Sequence, residues 1–274
     1  MTSYNIIIDM CFDNIEFPED RVLRNKLDAI PKFKSFMMNT ICALREKYIA
    51  IEFVGNGVHV TASSLPELHQ LLLSVCNRLG IKEIPDFSLM WGYYITAATE
   101  GASKPHITAM SGAVDVLTDE ELAFMLGHEI GHQVCGHKPY HMFLESMYMP
   151  LINSVPGGEI WISLVRSTLL NWYRVSDYTA DRIGLLACGD INVALRTMIK
   201  MSGIPKKYYS SINVDSFIKQ AMEFDTLFSG ATGTMINYVS INSAFSPWLV
   251  ARAAKLYEWY KSNEYMGIVN QMKI

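Results

Sequence analysis

The sequence predicts a mainly α fold of the α+β kind, in which helices form the body and a small β-sheet lies beside them. Three observations carry this. Apolar residues recur at helical spacing over most of the 274 residues. Short β-like pieces, bounded by glycine-rich turns, are confined to the first 110 positions. No internal repeat and no Pro/Gly/Ser-rich linker divides the chain, so one folded unit is expected, and at this length it needs no disulfide or other staple to bury a core.

Composition narrows the function classes. Half of the residues are hydrophobic and 18% are charged, which excludes a disordered, solvating chain. A net charge of −4, a pI near 6.0 and the absence of any Lys/Arg block argue against nucleic acid as a partner. Five widely spaced cysteines, Cys11, Cys42, Cys76, Cys135 and Cys188, form no CxxC pair, so neither a disulfide framework nor a thiolate zinc ribbon is expected. The opening MTSYNIIIDMCFDN has no basic segment and meets Asp9 early, unlike a signal peptide. Together these features place the protein in the cytoplasm. Residues 226–251 are uncharged and long enough to span a bilayer, but they include Thr226, Ser229, Gly230, Asn237, Asn242 and Pro247, so no transmembrane helix is expected.

In chain order, residues 1–46 read as an N-terminal helical arm packed on the domain, and 47–274 as the domain itself. FPEDRVLRNKL and IPKFKSFMMNTICALREKY supply the arm's helical spacing. IAIEFV and VHVTAS look like two strands joined at Gly55-Asn56-Gly57, a hairpin-turn composition. LPELHQLLLSVCNRLG is a helix opened by Pro66 and closed by Gly80. Residues 84–110 look extended, with a turn at Gly101-Ala102-Ser103 and a strand in KPHITAM. Thr118 and Glu121 then form a capping box that starts a helix running through ELAFMLGHEIGHQVC to about Gly136. A Pro-Gly-Gly break at 156–158 precedes a long helix that Gly189 ends. The tail is mostly helical, with a loop-rich insert near 226–247.

Four of the seven histidines fall between positions 128 and 141. His128 and His132 are four apart on a helix, so their rings leave the same face one turn from each other and can meet one metal ion. Glu129, beside the first of them, is placed to act as general base on a metal-activated water. A third protein ligand is needed. A metzincin would carry Gly at 135 and His at 138, where Cys135 and Lys138 stand, and PLINS at 150–154 lacks the Glu of a thermolysin-like arrangement. His137 sits past Gly136 at the helix end and reads as a helix-terminus or supporting histidine rather than a ligand. Asp177 and Asp181 remain, sharing one face of an otherwise apolar helix. An exposed acidic face paired with Arg174 and Arg182 is the common alternative, but the helix is otherwise very apolar, and acids on a buried helix need a partner, which a metal supplies.

HEIGH, followed by a helix bearing YTADRIGLLACGD and by SPWLVARAAKLYEW, resembles the gluzincin family of zinc metallopeptidases that includes the prenyl-protein (CAAX) endopeptidases and the heat-shock membrane protease. The resemblance covers about residues 65–260 and is closest to the soluble, minimal members. It implies a zincin-like fold with an active-site helix, a second acid-bearing helix and a small β-sheet beside the cleft. It also implies one zinc ion per chain held by His128, His132 and Asp177, with Glu129 catalytic and Asp181 orienting a ligand histidine. Two departures stand out. The family's third ligand is usually Glu, one methylene longer than Asp177, and Ser246 precedes Pro247 where the family often has His. Arg252 matches the family's arginine, and both an ion pair holding the C-terminal helix and a role at the site are open for it.

The function expected is a zinc-dependent endopeptidase acting on peptides or proteins. The alternative is a catalytically weak or inactive zinc-stabilised binding protein of the same fold, which the Asp177 and Ser246 departures favour and Glu129 opposes. The segment Tyr94–Thr99 is either an edge strand that pairs with an extended substrate or a plain core strand.

Overall fold

The computed structural model describes residues 15–102, 104–147, 155–224, 226 and 248–272. As expected, the architecture is mainly α with one small mixed sheet. The arm contributes α1 (Pro18–Asp28), the single turn α2 (Phe33–Phe36), a π-helical stretch over Met37–Cys42 and the first turn of α3 (Ala43–Asn56), which carries the chain across residue 47 into the domain. Next come β1 (Gly57–His59), α4 (Pro66–Arg78), β2 (Asp86–Met90), β3 (Ala97–Glu100), β4 (His106–Met110) and α5 (Ser111–Val116). The helical body follows as α6 (Asp119–Val134), α7 (Lys138–Ser146), α8 (Gly158–Cys188), α9 (Ile191–Met201), α10 (Val214–Phe224), α11 (Leu249–Tyr260) and α12 (Asn263–Met272).

The hairpin expected at IAIEFV and VHVTAS does not form. Residues 49–54 continue α3, and only Gly57–His59 becomes a strand. The β-branched alternation of the sequence competes here with a helical pair, Ile49 and Phe53, which are four apart and both buried in the core beneath the arm. Burial of that face decides between two local preferences of similar strength. Apart from Thr226, the insert expected near 226–247 lies outside the described residues, as does the turn residue Ser103.

The sheet runs β1-β2-β4-β3. β2 and β4 are parallel, β1 and β3 antiparallel to their neighbours, and β3 forms one edge. Among the described residues, two large cores and one smaller cluster around Ala113 and Met125 support the helices. One large core joins the sheet, α4, α6 and the C-terminal half of α8. The other lies between the arm, α7 and the N-terminal half of α8, with Trp172, Phe33 and Phe143 fully buried.

The contact that positions the site is the crossing of α6 on α8, the most extensive between any two elements. Small residues let the backbones approach. A Cβ at Gly127 would stand 2.3 Å from Ala187 Cβ, and one at Gly131 would stand 3.0 Å from Ala180 Cα. Among the described residues, no helix is long and apolar enough to cross a membrane.

Candidate metal centre

α6 begins as the sequence predicts. Thr118 Oγ1 accepts from the Glu121 amide at 3.4 Å, and Glu121 Oε2 accepts from the Thr118 amide at 2.9 Å, which together satisfy two amides at the helix start. Lys200 Nζ donates to the same Glu121 oxygen at 2.5 Å, anchoring this end to α9. Two turns on, His128 and His132 point their rings toward α8, where Asp177 and Asp181 face them.

The Nε2 atoms of His128 and His132 are 3.1 Å apart, and Asp177 Oδ1 is 3.5 Å from His132 Nε2. One donor atom from each of these three side chains lies within 4.8 Å of the others. Bonds of about 2.0–2.2 Å at tetrahedral angles put ligand atoms roughly 3.3–3.6 Å apart, so this set fits a zinc ion. The chemistry agrees with the spacing. Two ring nitrogens that face each other this closely need a shared cation or proton between them, and each Nδ1 is already engaged on its far side.

Asp181 is that engagement for His128. Its Oδ1 lies 2.9 Å from His128 Nδ1, while Arg252 donates to both carboxylate oxygens, Nε to Oδ2 at 2.8 Å and Nη2 to Oδ1 at 2.6 Å. Burial tends to raise the Asp181 carboxyl, but the Arg252 guanidinium and the His128 ring hold it below the usual carboxylate range. Burial works against charge on His128 as well, yet its bond to Asp181 outweighs this and makes the ring more basic, which also favours metal ligation. Arg252 further sits 3.9 Å from Asp177 Oδ2, so one guanidinium ties α11 to both acids. For His132, burial and then its cationic neighbours, His128 first, hold the ring well below the usual imidazole range.

His137 lies outside the three-atom cluster, behind His132. It is fully buried, and its Nδ1 is 3.0 Å from His132 Nδ1. Its Nε2 is 2.9 Å from Asp20 Oδ2 of α1.

Glu129 is 7% exposed and lines the same cleft, a cavity of about 570 Å³. Burial raises its carboxyl, with His128 and Lys138 opposing. Tyr94–Thr99 form the opposite lip, and Thr99 Oγ1 donates to the Glu129 carbonyl at 3.0 Å, fixing edge strand β3 against α6. Lys138, His141, Glu145 and Tyr173 also line the cleft. Sequence reasoning passed over these four. Tyr173 is four residues before Asp177, and Lys138, His141 and Glu145 repeat at three and four residues, so helical spacing could have pointed to them. Asp20 carried no such signal, because nothing local links it to the histidines. Ser246 and Pro247 lie outside the described residues.

The family model of peptidase family M48 matches residues 63–259. The plastoglobule-localized metallopeptidase 48 of the chloroplast, from Arabidopsis thaliana, is 28% identical over 265 residues, covering 96% of this chain and 77% of that protein. No solved structure matches. The relative's placement overturns the cytoplasmic expectation. Dispersed cysteines without a CxxC pair speak only against a disulfide framework, and they are no address within the cell.

Proposed function

Because this chain belongs to peptidase family M48, whose members are metallopeptidases, we propose that it is a zinc-dependent endopeptidase using His128, His132 and Asp177 as ligands and Glu129 as general base. The observation that carries this reading is that Glu129 opens onto the cleft holding the three donor atoms, beside β3, which is an edge strand of the sheet among the described residues. A purely structural metal site has no use for a carboxylate so placed.

Bound zinc supplies a Lewis acid that polarises a carbonyl and acidifies water. The protein's own groups do the rest. Glu129 accepts the proton of the attacking water and hands it to the leaving amine. Its raised proton affinity suits both halves of that exchange. Asp181 keeps the His128 Nδ1 proton directed away from the cleft, leaving Nε2 with a free lone pair. The outer edge of β3 offers backbone groups to an extended peptide, whose main chain would add to the sheet next to Glu129. We assign this activity to the unit 47–274, with the arm packed upon it.

Glu129→Gln tests the reading. The variant should keep its zinc and its melting temperature while hydrolysis of an unstructured protein substrate falls by about 10²–10⁴-fold. A zinc-loaded variant as active as the wild type would remove Glu129 from the base role.

A further inference from the structure

The N-terminal arm lies outside the residues that the family model matches, yet one of its side chains reaches the back of the metal centre. We infer that Asp20 is a positioning residue for the metal: acting through His137, it selects the tautomer in which His132 turns a lone pair toward the ion. This rests on the reading of His132 as a ligand.

The argument is one of proton placement. Asp20 is 0% exposed, and three groups converge on its carboxylate. Trp172 Nε1 donates to Oδ1 at 2.8 Å, Thr179 Oγ1 donates to Oδ2 at 2.6 Å, and His137 Nε2 lies 2.9 Å from Oδ2. A carboxylate accepts only and repels a ring lone pair, so at this ion-pair distance His137 turns Nε2–H toward it, although the contact lacks the alignment of a hydrogen bond. In the neutral ring, whose one proton this contact places on Nε2, His137 Nδ1 is an acceptor. It faces His132 Nδ1 at 3.0 Å, and the one proton between them must therefore belong to His132. His132 with Nδ1–H has its lone pair on Nε2, the atom 3.1 Å from His128 Nε2. The reverse placement would put a proton on His132 Nε2 and block coordination. Asp20 thus does for His132, one ring removed, what Asp181 does directly for His128.

The arm is held firmly enough to act this way. Phe17 donates its amide to Thr179 Oγ1 at 3.0 Å, Arg182 Nη1 donates to the Ile15 carbonyl at 2.9 Å, and Arg24 donates to the carbonyl of Cys135 at the end of α6. The arm is a working part of the centre rather than a removable cover.

The test compares zinc dissociation constants, by competition with a chromophoric chelator, for the full chain and for Asp20→Asn, His137→Gln and the double variant. Circular dichroism and melting temperature report the fold. Asp20→Asn should weaken zinc about tenfold, within the range of lost outer contacts. Gln at 137 offers His132 a carbonyl acceptor that needs no help from Asp20, so adding Asp20→Asn to it should cost nothing more. Imidazole nitrogen NMR of the zinc-loaded wild type should report His137 as the Nε2–H tautomer. A folded Asp20→Asn variant with zinc affinity within twofold of wild type would overturn the inference, as would an Nδ1–H tautomer at His137, a result that needs no variant to fold. Wild-type protein that takes up no zinc would instead sink the ligand assignment itself.

Discussion

Replacing Gly127 with Ala adds one methyl group at the point where α6 and α8 come closest. Two effects oppose each other. In a helix interior, Ala is better than Gly by about 1 kcal/mol. The added Cβ, however, would stand 2.3 Å from Ala187 Cβ and 3.1 Å from Gly184 Cα. Ordinary carbon contacts are about 3.5–4.0 Å, so the helices must part by roughly 1.2–1.7 Å. Overpacking of this kind costs about 1–3 kcal/mol, leaving a net loss of roughly 0–2 kcal/mol and a fall in melting temperature of about 2–4 °C per kcal/mol. The effect on metal should be larger. Ligand atoms must sit within about 0.2 Å of their bonding distances, and the two histidines ride on one helix while Asp177 rides on the other. Zinc affinity is expected to drop at least about tenfold, even where most of the stability survives. Calorimetry and a zinc titration read the two quantities separately. Ala187→Gly in the same chain returns the space and should restore much of the zinc binding, though not the helix propensity it sacrifices. A Gly127→Ala protein that melts higher and binds zinc as tightly as the wild type would refute the close-approach argument.

The two acids of α8 should separate in their effects. Asp177→Ala is expected to cost more zinc affinity than Asp181→Asn, whose loss should be about 10–100-fold; equal losses, or the reverse order, would exchange their roles. Asp181→Ala should also destabilise the fold by about 3–5 kcal/mol, because Arg252 is left buried without its bidentate partner, which urea denaturation would measure. His106, stacked on Phe53 at 4.3 Å and near Asp86, His59 and Lys104, is pushed down to about 4 by burial. Between its ordinary value and 4 the unfolded chain takes up a proton that the folded one refuses. Stability should therefore fall as pH drops from about 6.5 to about 4, by on the order of 1–2 kcal/mol after allowance for partial exposure. His106→Gln should flatten that slope, and an unchanged slope would remove His106 as its source.

What could be read from the sequence follows the range of the interaction involved. The capping box at Thr118, the four-residue spacing of His128 and His132 and the stop at Gly189 are local, and each appears in the fold where the residues indicated. So does the pairing of Asp177 and Asp181 on one face, since helical geometry alone sets it. The hairpin at 49–60 failed because alternation and helical spacing coincide at Ile49 and Phe53, and the deciding term is tertiary: Phe53 stacks on His106, and both Ile49 and Phe53 join the core that also holds α7 and the N-terminal half of α8. Asp20 was invisible for the same reason. Its partners are 152 residues distant at Trp172 and 159 at Thr179. Arg252 was found by resemblance, whereas its bidentate grip on Asp181 is a purely tertiary fact.

The wide scatter of these residues along the chain has a consequence for how the molecule assembles. His128 and Asp181 are 53 positions apart, Asp181 and Arg252 are 71, and Asp20 and Thr179 are 159. Each closure loses chain entropy before any ligand geometry exists, which places the metal late in the folding reaction. A small zinc finger depends on its ion to fold at all. Here the Asp181–Arg252–His128 cluster and the tight helix crossing are built from the chain's own side chains and backbone, with no metal bond among their contacts. The metal-free chain should therefore collapse to the same architecture at the same rate, with zinc slowing unfolding rather than guiding the search.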